Sequence, residues 1–147
     1  MDTNGIGGIV CFILGWLVAQ GGKMLLDILR SRKAPGVKEF FDVMTRSGGM
    51  PSGHTASFVG LSMYLGMTYG FLSSIFALAT CTTIIVIYDA VNVRYAVGEQ
   101  GKLLNVIVMD NNYKKRKVKV VEGHTIPQVI VGIIIGIIIG FLVSLAF

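Results

Sequence analysis

Three long stretches of the chain carry no Asp, Glu, Lys or Arg: Thr3–Gly22, Ser47–Tyr88 and Gly123–Phe147. All 13 Lys and Arg fall in the two intervals between them, Lys23–Arg46 and Asp89–Glu122. A soluble domain spreads about a quarter of its residues as charges over its whole length; here the charged fraction is 14% and strictly segregated. An ordinary soluble enzyme and a disordered basic tail are both excluded. The pattern predicts a small multi-pass membrane protein.

One crossing takes about 20 mostly apolar residues. The uncharged stretches, of 20, 42 and 25 residues, therefore predict one, two and one spans, near 4–22, 52–70, 71–88 and 125–146. The middle pair forms a hairpin turning near Tyr69-Gly70. Four crossings place the cationic segments 23–51 and 89–124 on one side. The positive-inside rule makes that side cytoplasmic and puts both termini outside. The expected fold is all-α: one membrane domain over 1–147, a bundle of about four transmembrane helices in a cell membrane. The absence of any positive residue before Lys23 argues against a cleaved leader.

Within the charged segments, Ala34-Pro35-Gly36 breaks the first helix. Val37, Phe40, Phe41 and Met44 then lie opposite Lys38, Glu39 and Asp42, as in a helix lying at the interface near Val37–Met44. Asp89–Met109 reads as a second amphipathic helix, and Lys117–Val121 as strand-like. The basic run Lys114–Lys119 sits beside membrane spans, so it suits anionic lipid headgroups rather than nucleic acid. Cys11 and Cys81 have no CxxC partner and read as small buried hydrophobes. Gly132, Gly136 and Gly140 repeat every four residues, a pattern that lets helices approach closely, within the bundle or across a homodimer seam.

The chain has only two histidines, and both stand at the cytoplasmic start of a predicted span. His54 follows the glycine-rich Ser47-Gly-Gly-Met-Pro-Ser-Gly53, and His124 opens His-Thr-Ile-Pro-Gln128. Helix N-termini present unpaired N–H groups and the positive end of the dipole, which favours anions. Ser52, Gly53 and Thr55 add donors or close backbone approach, and Lys38, Arg46, Arg94 and Asp89 reach the same face. Such a set suits phosphoryl transfer, with one neutral imidazole attacking phosphorus and a second, protonated, one serving the leaving oxygen. Thr125 and Gln128 also fit a capping box, which needs no catalysis to explain it.

Pro51-Ser-Gly-His54 resembles the central motif of the type 2 phosphatidic acid phosphatase superfamily, which includes vanadium haloperoxidases. With Asp89-Ala-Val-Asn-Val-Arg94, Gly98-Glu-Gln100, Leu104-Asn105 and Gly123-His-Thr-Ile-Pro127, the chain is similar to its divergent branch of bacterial and plastid membrane proteins, from about Arg46 to Gly140. The resemblance implies a lipid phosphate phosphatase without metal or other cofactor, in a bacterial plasma membrane. Phosphatidate, phosphatidylglycerol phosphate and isoprenyl diphosphates are its expected substrates. By position, His124 resembles the nucleophile and His54 the acid. Arg94 resembles the third motif's arginine, and Lys38 with Arg46 the first motif's phosphate-binding pair. That first motif has six residues between Lys and Arg, whereas seven separate Lys38 from Arg46. The acid expected four positions after the nucleophile is Gln128 here, so Asp89, or else Glu122, is the expected source of the missing charge.

Two other readings remain. Asp89 and Arg94 have the spacing that opens the CDP-alcohol phosphotransferase signature, yet Ile107 and Asn111 stand where its metal-binding aspartates belong. A non-catalytic protein that binds lipid phosphates or scaffolds a partner would keep the same anion-binding features.

Overall fold

A computed structural model describes residues 4–32, 36–37, 40–41, 43, 48–110, 118–121 and 123–147. The elements are α1 (Asn4–Ser31), α2 (Gly53–Tyr69), α3 (Ser74–Tyr88), a π-helical segment (Asp89–Val93), α4 (Arg94–Asp110) and α5 (Ile126–Ser144). The fold is all-helical among the described residues. Lys38, Arg46, Glu122 and Lys114–Lys117 lie outside them.

Glycine and other small residues set the packing. Residues 7, 15 and 22 of α1 meet Tyr64, Ala56 and Pro51 in turn, so α1 and α2 run antiparallel. Gly132, Gly136 and Gly140 of α5 face the α2 backbone in parallel order. Cβ atoms placed on them would lie 2.8 Å from Ser52 O, 2.8 Å from Ala56 O and 2.5 Å from Gly60 O. The row expected as a possible homodimer seam is covered by α2, so it serves the interior of the bundle. Ser73 caps α3, accepting from the Phe76 N–H at 3.3 Å and donating to the Gly70 carbonyl at 2.7 Å. Gly70, at φ 90°, takes the left-handed turn that reverses the chain. The Ser62 and Thr83 hydroxyls, 2.8 Å apart, join the two arms of this hairpin.

Gly5–Ser31, Ser74–Asp110 and Ile126–Ser144 are long and apolar enough to cross a membrane. α2, with 17 residues, is shorter than such a span. It is the central helix: its Gly53, Ala56, Ser57, Gly60, Ser62 and Gly66 are buried against its neighbours. The structure thus gives three span-length helices around a shorter central one, where four spans of similar length were expected. The expected boundary at residue 22 also shifts, because α1 continues unbroken to Ser31.

At 1.5 Å per residue, α1 is about 42 Å long and the continuous Ser74–Asp110 rod about 55 Å. Both run in the same direction. They project beyond the level at which α2 and α5 begin, and the candidate site lies between the projecting ends.

Candidate functional site

The approach to α2 carries two glycines in left-handed conformation, Gly48 at φ 88° and Gly49 at φ 80°. A side chain would be strained at either position. Ser52 ends the loop as the N-cap, its Oγ accepting from the Thr55 N–H at 3.4 Å and from the Thr55 hydroxyl at 2.9 Å. The Ser52 N–H donates to the Gln128 carbonyl at 3.1 Å, which ties the starts of α2 and α5 together. Ser52, Gly53 and Thr55 are fully buried in these contacts. They were expected to touch substrate; instead the two hydroxyls complete a cap, and Gly53 packs against Trp16 and Ala19. His54, in the first turn, is exposed.

The approach to α5 is an extended strap lying along α4, and residues 118–121 form no strand. Asn105 takes the place of a strand partner: its Nδ2 donates to the Val118 carbonyl at 3.0 Å and its Oδ1 accepts from the Val118 N–H at 2.8 Å. Val120 then passes over Gly101, and Gly123 rests on the backbone of Arg94 and Tyr95 so closely that no Cβ fits. The His124 N–H donates to the Ala90 carbonyl at 3.0 Å. Ala90 belongs to the π segment, a local widening of the helix that occurs often at functional sites.

His124 is 5% exposed. Gln128 Oε1 accepts the Thr125 N–H at 3.1 Å and stands 3.2 Å from His124 Nδ1. An oxygen in that position makes Nδ1 the donor, so the neutral ring carries its proton on Nδ1 and its lone pair on Nε2. Burial holds the His124 pKa below the ordinary histidine value. Lys23 and His54 lower it further, while the Gln128 hydrogen bond and the Gly49 backbone act in the opposite direction. The residue on the ring is therefore Gln128. Asp89, expected there, binds Arg94 Nε through Oδ2 at 2.5 Å, and with Arg94 and Lys23 it makes up the charged surroundings of His54.

Beside His124 opens a cavity of about 490 Å³, lined by α1, the Gly48–Met50 loop, α4 and the residues flanking His124. Among the described residues its cations are Lys23, Arg30 and Lys102, none of which was expected at the site. Lys23 is 8% exposed. In the sequence it looks like the first charge after a span, but it continues the buried row Cys11, Gly15, Ala19 at intervals of four, which was the available signal. Lys23 and Arg30 are also separated by six residues, the gap that the first motif has and that Lys38 and Arg46 lack; Ser31 follows where the motif has proline. No group of three or more His, Cys, Asp or Glu able to hold a metal ion occurs among the described residues.

The fold defines a helical membrane protein in which two histidine-bearing helix starts and several cations gather at one end. The chain belongs to the divergent PAP2 family, whose model matches residues 7–139. It is 30% identical over 131 residues, 79% of this chain and 80% of the relative, to the uncharacterised membrane protein YuiD of Bacillus subtilis (strain 168). No solved structure matches it.

Proposed function

We propose that this protein is a phosphatase for membrane lipid phosphates, working through a phosphohistidine on His124 at the cytoplasmic face. The observation that carries the reading is the setting of His124: a buried imidazole, neutral at pH 7, with Gln128 on Nδ1, beside Lys23 and within the electrostatic reach of His54. Nε2 attacks phosphorus, the P–O bond to the lipid breaks, and His54 gives a proton to the leaving oxygen; desolvation, Arg94 and Lys23 hold the His54 pKa below the ordinary histidine value, against Asp89, so the acid form that does this gains population as pH falls. His54 then takes a proton from water as its oxygen attacks phosphorus and the P–N bond breaks, releasing inorganic phosphate. Lys23, Arg94 and the N–H groups at the helix starts offset charge on the phosphoryl oxygens. Asp89 holds the Arg94 guanidinium through Nε.

The test is phosphate release from a panel of lipid phosphates in nanodiscs, with His124→Ala and His54→Ala alongside. Wild type should also trap a label that survives alkali and is lost in acid, as a phosphohistidine is. Near-wild-type release by both variants would rule the mechanism out.

The amide at Gln128 supports a second reading, binding of lipid phosphates without turnover. An amide orients the ring but gives an imidazolium less support than a carboxylate does. Vanadate protection against thermal unfolding without phosphate release would favour it.

A further inference from the structure

The π segment holds one residue more than the α-helical turn it replaces, and that residue changes what one carbonyl and two side chains can reach. The Asp89 N–H still bonds back in ordinary register, to the Ile85 and Val86 carbonyls. The Arg94 N–H, however, bonds to the Asp89 carbonyl and not to that of Ala90, the partner α-register would give it. The donor that would close Ala90 into the helix is thereby diverted. The Ala90 carbonyl accepts the His124 N–H instead, at 3.0 Å. Ala90 is 3% exposed and His124 5%, so water has no access to replace this bond.

The same widening accounts for the pairing of Asp89 with Arg94. In an α-helix, residues five apart point about 140° away from each other around the axis. A turn closed by i→i+5 bonds brings them to one side, as an α-helix does residues four apart. Arg94 Nε accordingly reaches Asp89 Oδ2 at 2.5 Å. Asn92 Nδ2 donates to the Tyr88 carbonyl at 3.2 Å, a second side-chain contact across this turn. The ion pair joins the first residue of the π segment to the residue just after its last, so it favours the widened register over the α-helical one.

We infer that the π segment positions His124, and that Asp89 is a positioning residue that acts on His124 through the helix backbone. By pairing with Arg94 it holds the register that offers the Ala90 carbonyl to the His124 N–H. Its route to the ring is thus separate from Nδ1, which Gln128 occupies. The consequence for rate rests on the phosphohistidine reading; the positioning itself does not.

The test is hydrogen exchange at the His124 amide, followed by NMR on the full chain in nanodiscs. The Ser52 amide, bonded to the Gln128 carbonyl, is the control for general unfolding. Asp89→Asn and Arg94→Gln should each speed His124 exchange by about tenfold or more, the scale of one hydrogen bond, and leave Ser52 within about twofold. The charge swap Asp89→Arg/Arg94→Asp restores the pair and should return His124 to within about threefold of wild type. Deletion of Asn92 separates register from pairing. Four α-helical residues make about the same turn as five π-bonded ones, so Arg94 stays over Asp89 while the Tyr95 N–H takes the Ala90 carbonyl. His124 exchange should quicken there although the ion pair is kept. If that variant does not fold, the point variants and the swap decide.

Phosphate release per folded protein should fall at least about tenfold in Asp89→Asn, as expected for a displaced nucleophile. A fall in release with the His124 amide unmoved would assign Asp89 to His54 and overturn the inference. Equal acceleration at Ser52, a swap that restores nothing, or a folded deletion variant with wild-type exchange at His124 would overturn it too. If wild type hydrolyses no lipid phosphate while the His124 amide follows the pair, the phosphatase reading fails and the positioning inference stands.

Discussion

The backbone N–H of His124 donates to the Ala90 carbonyl at 3.0 Å, which pins the strap to the π segment that also carries Asp89. The imidazole is thereby fixed from the backbone side, while Gln128 fixes it from Nδ1. Position and tautomer come from different elements, and each is open to separate change.

Gln128→Glu tests the tautomer contact. A carboxylate there stabilises the imidazolium that forms as Nε2 attacks, a charge-assisted bond of roughly twice the neutral strength. Hydrolysis should accelerate by about tenfold and the acidic limb of its pH profile should move upward; Gln128→Leu should slow it. An unchanged pH profile in both variants would separate Gln128 from the chemistry.

Lys23→Met removes a buried cation. In lipid phosphate hydrolysis kcat/KM should fall by about a hundredfold, the loss of roughly 2–3 kcal/mol expected for a charged hydrogen bond in a desolvated site. Because Lys23 lowers the His124 pKa, the variant's His124 should titrate higher when followed by NMR.

His124 also couples stability to pH. Its folded pKa lies below the ordinary value of 6.5, so between the two values the unfolded chain binds more protons. Stability is full above about 6.5, falls as pH falls toward the folded pKa, and changes no further from this group below it. Denaturation midpoints measured from pH 7.5 to 5 should show that slope, and His124→Gln should flatten it.

Gly123→Ala puts a methyl group into the backbone of Tyr95. The strap must lift, so activity should drop at least tenfold while the spectroscopic helix content stays near wild type. Gly136→Leu, by contrast, forces α5 away from Ala56 and should lower the thermal midpoint by an overpacking cost of about 1–3 kcal/mol.

The outline of this fold was readable because charge is expelled from apolar spans. The uncharged stretch Ser47–Tyr88 gave the hairpin, and Tyr69-Gly70 gave its turn. The pairing of His54 with His124 at equivalent helix starts was readable for the same reason, and Gln128 was visible as a capping residue. What stayed hidden depended on which way a helix faces. Lys23 looked like the end of a span because a charge usually marks one, but the helix continues and turns that lysine inward. Ser52 and Thr55 looked like ligand donors because hydroxyls at a helix start serve either a cap or an anion, and spacing does not choose. The strap looked strand-like because its extended backbone does pair, but with the side chain of Asn105.

The buried row Cys11, Gly15, Ala19, Lys23 gives α1 a rotational phase. One residue inserted between Ala19 and Lys23 would turn Lys23 by about 100° and carry Asp27 and Arg30 round with it. The whole cationic wall would swing away from the histidines, although no residue had been lost. Four inserted residues would bring the wall back to within about 40° of its original bearing and displace it by about 6 Å along the axis. Insertions in this helix are therefore governed by their length modulo one turn, and the segment before Lys23 acts as a protractor for the site.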